Sequence, residues 1–517
     1  MFTFNYSRGA FLLTLGLLAG SAGCTSKFLE ESPSDQITDA NFYKTQNDAI
    51  QAVTAAYSEL TKEGQYNAAL WAMDIGADIS TTGGGGGSDG IEYTQIDDYN
   101  TPSTNFVCQR LWQGSFIALQ RANIVLQKVP LITGMDPAIQ KRCLGEAQFI
   151  RAKMYFDLVR AFGDVPLYTA PPVGLDQVNI ARSPQADVYK VIVSDLTAAI
   201  GNLPASYSGA DLGRATKWAA QGLLAKVYLT MGDKANAVTQ AQAVIDGSGK
   251  TMWAKYGDNF VVANENNNAK ESLFEVQFTN GRNQYDRNNV GSSMNQFFAP
   301  RRGGLVPAGD GYGFNVPEPD FVAGYEPGDT RKAVSVWVPG DVSPNGSIQP
   351  KSLPGSPFGF DCKKWFVGMV NTNIWDSPQN VPVLRLAEMY LIVAEGKGAT
   401  PDGFEALNKV RRRAFGAADY NTPDAVHDLN ASNLSMVGVN NFQDAVIRER
   451  KYELAFEFDR WFDMKRTKTL ISGMTAQSAY LATVGVRRGI PTEKNYVLPI
   501  PQSELDANPK LVQNPGY

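Results

Sequence analysis

The chain of 517 residues contains a single imidazole, His427, in the polar stretch DAVHDLN. A Ser-His-Asp or Cys-His arrangement would rest on that one residue, and no GxSxG elbow accompanies it. Metal sites built from several imidazoles are excluded. His427 reads as a solvated loop residue, and no metal or cofactor is expected. Carboxylates offer the other route to catalysis. Asp97 with Asp98, or Asp74 with Asp78, has the residue types for glycosidic cleavage. That reaction needs two carboxylates facing each other across a cleft, and nothing in the sequence sets such a separation. A denser set lies in FQDAVIRERKYELAFEFDRWFDMKRTKTL, from Phe442. There Ile447, Leu454, Phe458 and Trp461 recur at helical spacing. Around them Arg448, Glu449, Arg450, Glu453, Glu457, Arg460, Asp463 and Arg466 alternate in sign. The pattern reads as a lattice of ion pairs locking a helix to its neighbours, not as an acid–base pair. Aromatic residues make up 11% of the chain, with 8 Trp and 21 Tyr, which suits a protein that presents ring faces. Net charge is −5 and the longest basic block is Arg411 to Arg413, so nucleic acid is not an expected partner.

Helices must carry most of this chain. Three octets repeat one pattern: RAKMYFDL from Arg151, LAKVYLTM from Leu224 and LAEMYLIV from Leu386. Each contains Ala-x-x-Tyr, and VTAAYSEL repeats the spacing with Thr54 and Tyr57. Residues three apart share a helix face, so a small residue there admits a close partner helix. The best-preserved unit, Ala215 to Ser248, reads as a helix, a Gly232-Asp233 turn and a second helix, the tetratricopeptide pattern of about 34 residues. The copies are irregularly spaced, as helix pairs with long insertions between them. STTGGGGGSDGIEYTQIDDYNTPSTN, from Ser80, cannot hold a stable helix through its five glycines. From about Thr279 to Asn380 the chain is rich in Gly, Pro, Asn and aromatics; SLFEVQF just before it and AVSVWV within it suggest short strands. Long irregular loops on a rigid scaffold are where binding usually sits. Four cysteines rule out a disulfide scaffold; Cys108 and Cys143 read either as a pair or as two buried thiols. At the start, MFTFNYSRGAFLLTLGLLAGSAGCTS has a basic residue, a short apolar run and small residues, the shape of a secretory signal. The run is too short to span a bilayer, which takes about 20 apolar residues.

Six blocks then resemble one family in order. They are CTSKFLEESPSDQITDANFY; EAQFIRAKMYFDLVRAFGDVPLY; GRATKWAAQGLLAKVYL; PVLRLAEMYLIVAEG with LNKVRRRAF; RERKYELAFEFDRWFDMKR; and LPIPQSELDANPKLVQNPGY. The chain resembles SusD/RagB-type outer-membrane nutrient-binding lipoproteins of the Bacteroidetes. The resemblance implies a mainly α SusD-like fold with four tetratricopeptide-like hairpins and long loop and short-strand insertions. Residues 1–23 would be a lipoprotein signal peptide and 24–517 a single domain. Its helices would span about 40–250 and 380–470, and its insertions about 79–106 and 279–380. Cys24 would carry the lipid tether, although Ser21 stands where such signals usually have Leu; an ordinary soluble secretory signal is the alternative. Family members sit at the cell surface as a lid on a SusC-like TonB-dependent transporter. They capture oligosaccharides, or in some branches peptides, and pass them inward without cleaving them.

Sugar rings pack their C–H patches on aromatic faces and need Asn, Asp, Gln or Arg for their hydroxyls. Two regions of the insertions fit. Asp78 to Asn105 offers Tyr93, Asp97, Tyr99 and Asn100; the stretch from MNQFFAPRRGG onward offers Arg301, Tyr312, Phe314 and Trp337, with Trp365 and Trp375 second. Trp112, Trp218 and Trp461 fall on helix faces and read as core. The competing readings are a peptide-binding relative and a tetratricopeptide scaffold that docks another protein; a surface glycoside hydrolase ranks last.

Overall fold

The computed structural model describes residues 42–265, 270–281, 291–301, 304–306, 309–369 and 376–517. Cys24 and Trp375 lie outside them. Eight helices form the scaffold: α1 (Gln46–Tyr57), α2 (Phe106–Lys128), α3 (Pro137–Phe162), α4 (Gln185–Asn202), α5 (Lys217–Met231), α6 (Lys234–Gly247), α7 (Leu386–Lys397) and α8 (Pro401–Ala414). Their starts follow from side-chain caps. Thr45, Thr216, Asp233 and Thr400 each accept a backbone N–H from the first turn of their helix. Between α5 and α6, Gly232 adopts φ +82°, a conformation that costs glycine no Cβ clash, and Asp233 at once caps the next helix. Helices pack in the pairs α1–α2, α3–α4, α5–α6 and α7–α8, and each pair packs on the next. These are the four hairpins that the resemblance implies. Ala152, Ala225 and Ala387 of the repeated octets are fully buried at these contacts.

The insertions are tied down by short strands. β1 (Ser80–Gly83) runs antiparallel to β3 (Phe314–Pro317), with Ser80 opposite Pro317 and Gly83 opposite Phe314. β2 (Ser272–Val276) pairs with β6 (Val381–Arg385), so the second insertion leaves and re-enters the scaffold through neighbouring strands. β4 (Val336–Trp337) pairs with β5 (Asp361–Cys362) inside that insertion. Only two of the six residues of AVSVWV, Val336 and Trp337, are therefore strand. Ala333 to Ser335 close a short helix, Arg331–Ser335, because Arg331 is pulled into the core by acidic partners.

The charge-rich segment is not one helix. α9 (Phe442–Glu453) stops, and α10 (Arg460–Arg466) starts after a break. Within the break Phe456 and Phe458 have φ of +61° and +67°, a left-handed conformation that costs a bulky residue roughly 1–3 kcal/mol. Buried partners hold it. The Trp365 indole N–H donates to the Phe456 carbonyl at 2.9 Å, and the Phe458 N–H donates to Asp74 at 3.1 Å. The ion-pair lattice read from the sequence is present. Glu449 meets Arg331 and Arg411; Glu453 meets Arg331, Arg385 and Arg413; Glu457 meets Lys364 and Arg385. Arg450 meets Asp463 and Glu388, Arg460 meets Asp78, and Arg466 meets Glu395.

Three smaller expectations resolve here. Cys108 and Cys143 are separate buried thiols. His427 is more than a solvated loop residue. Its Nδ1 lies 2.7 Å from Asp424, and its ring stacks on Phe415 at 4.1 Å. Trp112 and Trp461 are core, whereas Trp218 is half-buried with the Lys217 ammonium 4.2 Å from its ring centroid.

Burial alone would raise the Glu453 carboxyl, but Arg413, Arg385 and Arg331 outweigh it and hold the group at about 2, against 4.5 ordinarily. A depressed carboxyl stabilises the fold fully above pH 4.5 and loses that contribution as pH falls toward 2. The shift corresponds to about 3 kcal/mol. Glu453→Gln is expected to lower the unfolding free energy by about 3 kcal/mol, since three buried guanidiniums each lose one of their carboxylates. It should also flatten the acid limb below pH 4.5. Urea titrations across that range check both, and a loss under about 1 kcal/mol would contradict the account.

Candidate functional site

β1 and β3 bring the two insertions into one surface, so the two regions singled out in the sequence are neighbours. Arg301 of the second insertion pairs with Asp89 of the first, and its Nε donates to the Tyr312 carbonyl at 2.8 Å. Beneath the glycine run lies Phe314: a Cβ added at Gly90 would sit 2.4 Å from its ring, so the loop passes over the ring as bare backbone.

Most of the expected contact residues turn out to hold this surface together from inside. Tyr93 lies on a short helix, Ile91–Asp97, stacks on Trp71 with centroids 6.0 Å apart, and donates to the Ala68 carbonyl. Tyr99 adopts φ +56° and donates to the Gly76 carbonyl at 3.0 Å. Asp97 accepts from the Thr81 hydroxyl at 2.6 Å and the Thr82 N–H at 2.9 Å, and pairs with Arg488. Phe314 is buried against Tyr93 and Phe297. Trp337 is 2% exposed, edge-on to Phe366, with the Lys363 ammonium 4.3 Å from its ring centroid. Trp365 is fully buried and stacks on Phe458. The rings of these residues present no open face, because the insertions bury their own aromatics to gain a core. Asn100 is exposed, and Arg301 and Tyr312 are half-exposed.

At the seam lies a cavity of about 160 Å³ that the sequence reading missed. Its apolar wall is Phe358 and Phe360, half-buried rings with centroids 6.3 Å apart and planes 23° from parallel. Val316, Pro317 and Pro319 continue that wall, and Asp98, Arg487 and Ser356 bring polar groups. The inner polar side is one guanidinium shared by two carboxylates: Arg488 meets Glu318 at 2.9 Å and also Asp97. Burial pushes Glu318 up to about 7 in spite of Arg488. Partial burial of its carboxyl, with Asp97 next to it, also raises the exposed Asp98. Parallel rings beside a carboxylate, a guanidinium and a hydroxyl suit a ligand with one apolar face and a hydroxyl-bearing edge. No local signal marks the rings: Phe358 and Gly359 lie in a turn, with Gly359 at φ +67°, so strand alternation does not apply to them. Arg487 carried none either, since it lies in the C-terminal segment, far from either insertion in sequence.

Comparison with known proteins agrees with this architecture. A profile of the SusD family matches residues 270–517, and a second profile, described as starch-binding associating with outer membrane, matches residues 27–229. A SusD-like protein P2 of Formosa agariphila is 27% identical, over 97% of this chain and 98% of that one. A solved structure of a laminarin-binding SusD-like protein is 28% identical, with a TM-score of 0.77 over 92% of this chain and 100% of that one. The surface glycan-binding protein A of Bacteroides thetaiotaomicron, solved in complex with laminarihexaose, shares the fold at 22% identity and a TM-score of 0.75, over 90% of this chain and 99% of that one. Among the described residues no helix is long and apolar enough to cross a membrane. With helix pairs, strand-tied insertions and both profiles in register along its length, the chain belongs to the SusD family.

Proposed function

We propose that this protein captures a glycan at the cell surface, without cleaving it, and delivers it to a SusC-like TonB-dependent transporter. A lipid on Cys24 holds it at the outer membrane. The observation that supports the reading most is the seam, where Phe358 and Phe360 offer a ring wall next to Asp98, Arg487 and Ser356. The 28% identical relative that binds laminarin supports a glucan as ligand class. Asn100, Arg301 and Tyr312 remain contacts at the margin of the same surface. Arg488 holds Asp97 and Glu318 together, and this favours binding over a pair of free catalytic carboxylates.

Titration of the full chain with laminarin is the direct test. Phe358→Ala is expected to weaken binding about tenfold, a loss of about 1.4 kcal/mol, with an unchanged thermal midpoint. Tyr99→Ala and Trp337→Ala should act differently, lowering stability by about 3–5 kcal/mol because each empties a packed site. Equal laminarin affinity in Phe358→Ala and the parent chain would remove the seam from the reading. Capture of peptides alone, or of no small ligand, would favour the peptide-binding or the scaffold alternative.

The tether has its own test. Cys24→Ala should move the protein from the membrane fraction to the soluble fraction of cells; full retention in the membrane fraction contradicts it.

A further inference from the structure

A larger cavity than the seam lies on the scaffold, away from both insertions. It has a volume of about 570 Å³ and opens between α2, the 163–184 connection and the short helix Gln502–Ala507. Such a volume falls within the range of small-molecule sites, about 300–1,000 Å³. Its floor is a corner of rings. The half-buried Phe116 and Tyr168 form it, at 84° and 5.9 Å, over the buried Trp112, whose centroid lies 5.0 Å from that of Phe116. The Tyr168 hydroxyl donates to the Val178 carbonyl, which fixes that wall to the loop behind it. The rim is of another character. Gln113, Ile117 and Gln120 recur at the spacing of one helix face and are exposed along α2.

Charge narrows the ligand. The lining holds one Arg and one Glu, and both have partners: Arg121 pairs with Glu59 at 2.6 Å, and Glu504 accepts from the Gln113 amide at 2.9 Å. Arg121 is thus neutralised, whereas the amide leaves Glu504 anionic; with no unpaired cation in the lining, the site does not favour an anion and admits a neutral, hydroxylated ligand. Rings below and amides above match a molecule that is apolar on its faces and hydroxylated at its edges. An acyl chain would use the floor and leave the amides idle. We infer that this cavity is a second saccharide-binding site, so that one chain can hold two stretches of one glycan. It rests on the proposed function for its ligand class alone. Two linked weak sites exceed either one in avidity wherever the polymer can span both.

Calorimetric titration of the full chain with laminarihexaose tests the inference. Two sites per chain are expected. Ile117→Arg, at a residue 46% exposed, should abolish one of them or weaken it at least tenfold, with no change in thermal midpoint. Gln120→Ala should weaken the same site, and Phe358→Ala only the other. A single site that is lost with Phe358→Ala and indifferent to Ile117→Arg overturns this inference and leaves the seam standing. A single site that is lost with Ile117→Arg and indifferent to Phe358→Ala supports it and removes the seam. No binding of laminarihexaose by the parent chain overturns it.

Discussion

Glu453 ends α9 with guanidiniums from three separate parts of the chain within ion-pairing distance. Arg331 comes from the second insertion, Arg385 from the end of β6 and Arg413 from α8. All four side chains are essentially removed from water. Taking such charges out of water costs several kcal/mol per ion, and attraction offsets that only when each group meets its partners. The lattice therefore constrains the fold as a set. Glu271 takes Arg385 and Arg413, and Glu457 takes Arg385 and Lys364. A shift of the insertion relative to the scaffold would leave charges unpaired in a low-dielectric interior. This explains how the described part of a long, Gly- and Pro-rich segment is held against the scaffold.

The break between α9 and α10 serves the same end. A continuous helix would carry Glu457 one turn beyond Glu453 on the same cylinder. The left-handed residues at Phe456 and Phe458 turn the chain, so that Glu457 reaches Lys364 while the Ala455 and Phe456 carbonyls accept from Lys364 and Trp365. Strain in two residues is exchanged for satisfied polar groups around them. Asp74 closes the arrangement from the first insertion's side by accepting the Phe458 N–H, and burial raises its carboxyl well above the ordinary range. The segment leading into the first insertion thus reaches the lattice through Asp74 and Asp78, and the second insertion through Arg331 and Lys364.

The sequence was informative where one physical rule acted alone. Ala-x-x-Tyr octets and the Gly232-Asp233 turn place helix pairs correctly, since small-residue spacing and capping are local. Alternating signs between Arg448 and Arg466 announce the lattice. The break within that same run was hidden, because no glycine or proline marks Phe456 and Phe458, and their conformation is imposed by Trp365 and Asp74 from far along the chain. Tyr93, Tyr99, Phe314 and Trp337 were legible as important aromatics but not as interior ones. Composition shows that an insertion has rings, whereas only β1–β3 pairing decides which rings face inward. Phe358 and Phe360 were passed over for the same reason, since their exposure follows from what packs on the opposite side of the loop.

The β2–β6 pair has a consequence for how this surface can change. The second insertion begins after Val276 and returns at Val381, residues that face each other across the two strands. Whatever lies between them leaves and rejoins the chain's scaffold at one place of fixed width. The entropy of closing such a loop grows only with the logarithm of its length, about 0.6 kcal/mol for each doubling. A longer, shorter or rewritten insertion therefore disturbs the helix pairs little, provided that Arg331 and Lys364 still reach their carboxylates. The molecule is in effect a socket and an exchangeable face, so the face can be rewritten without rebuilding the helix pairs behind it.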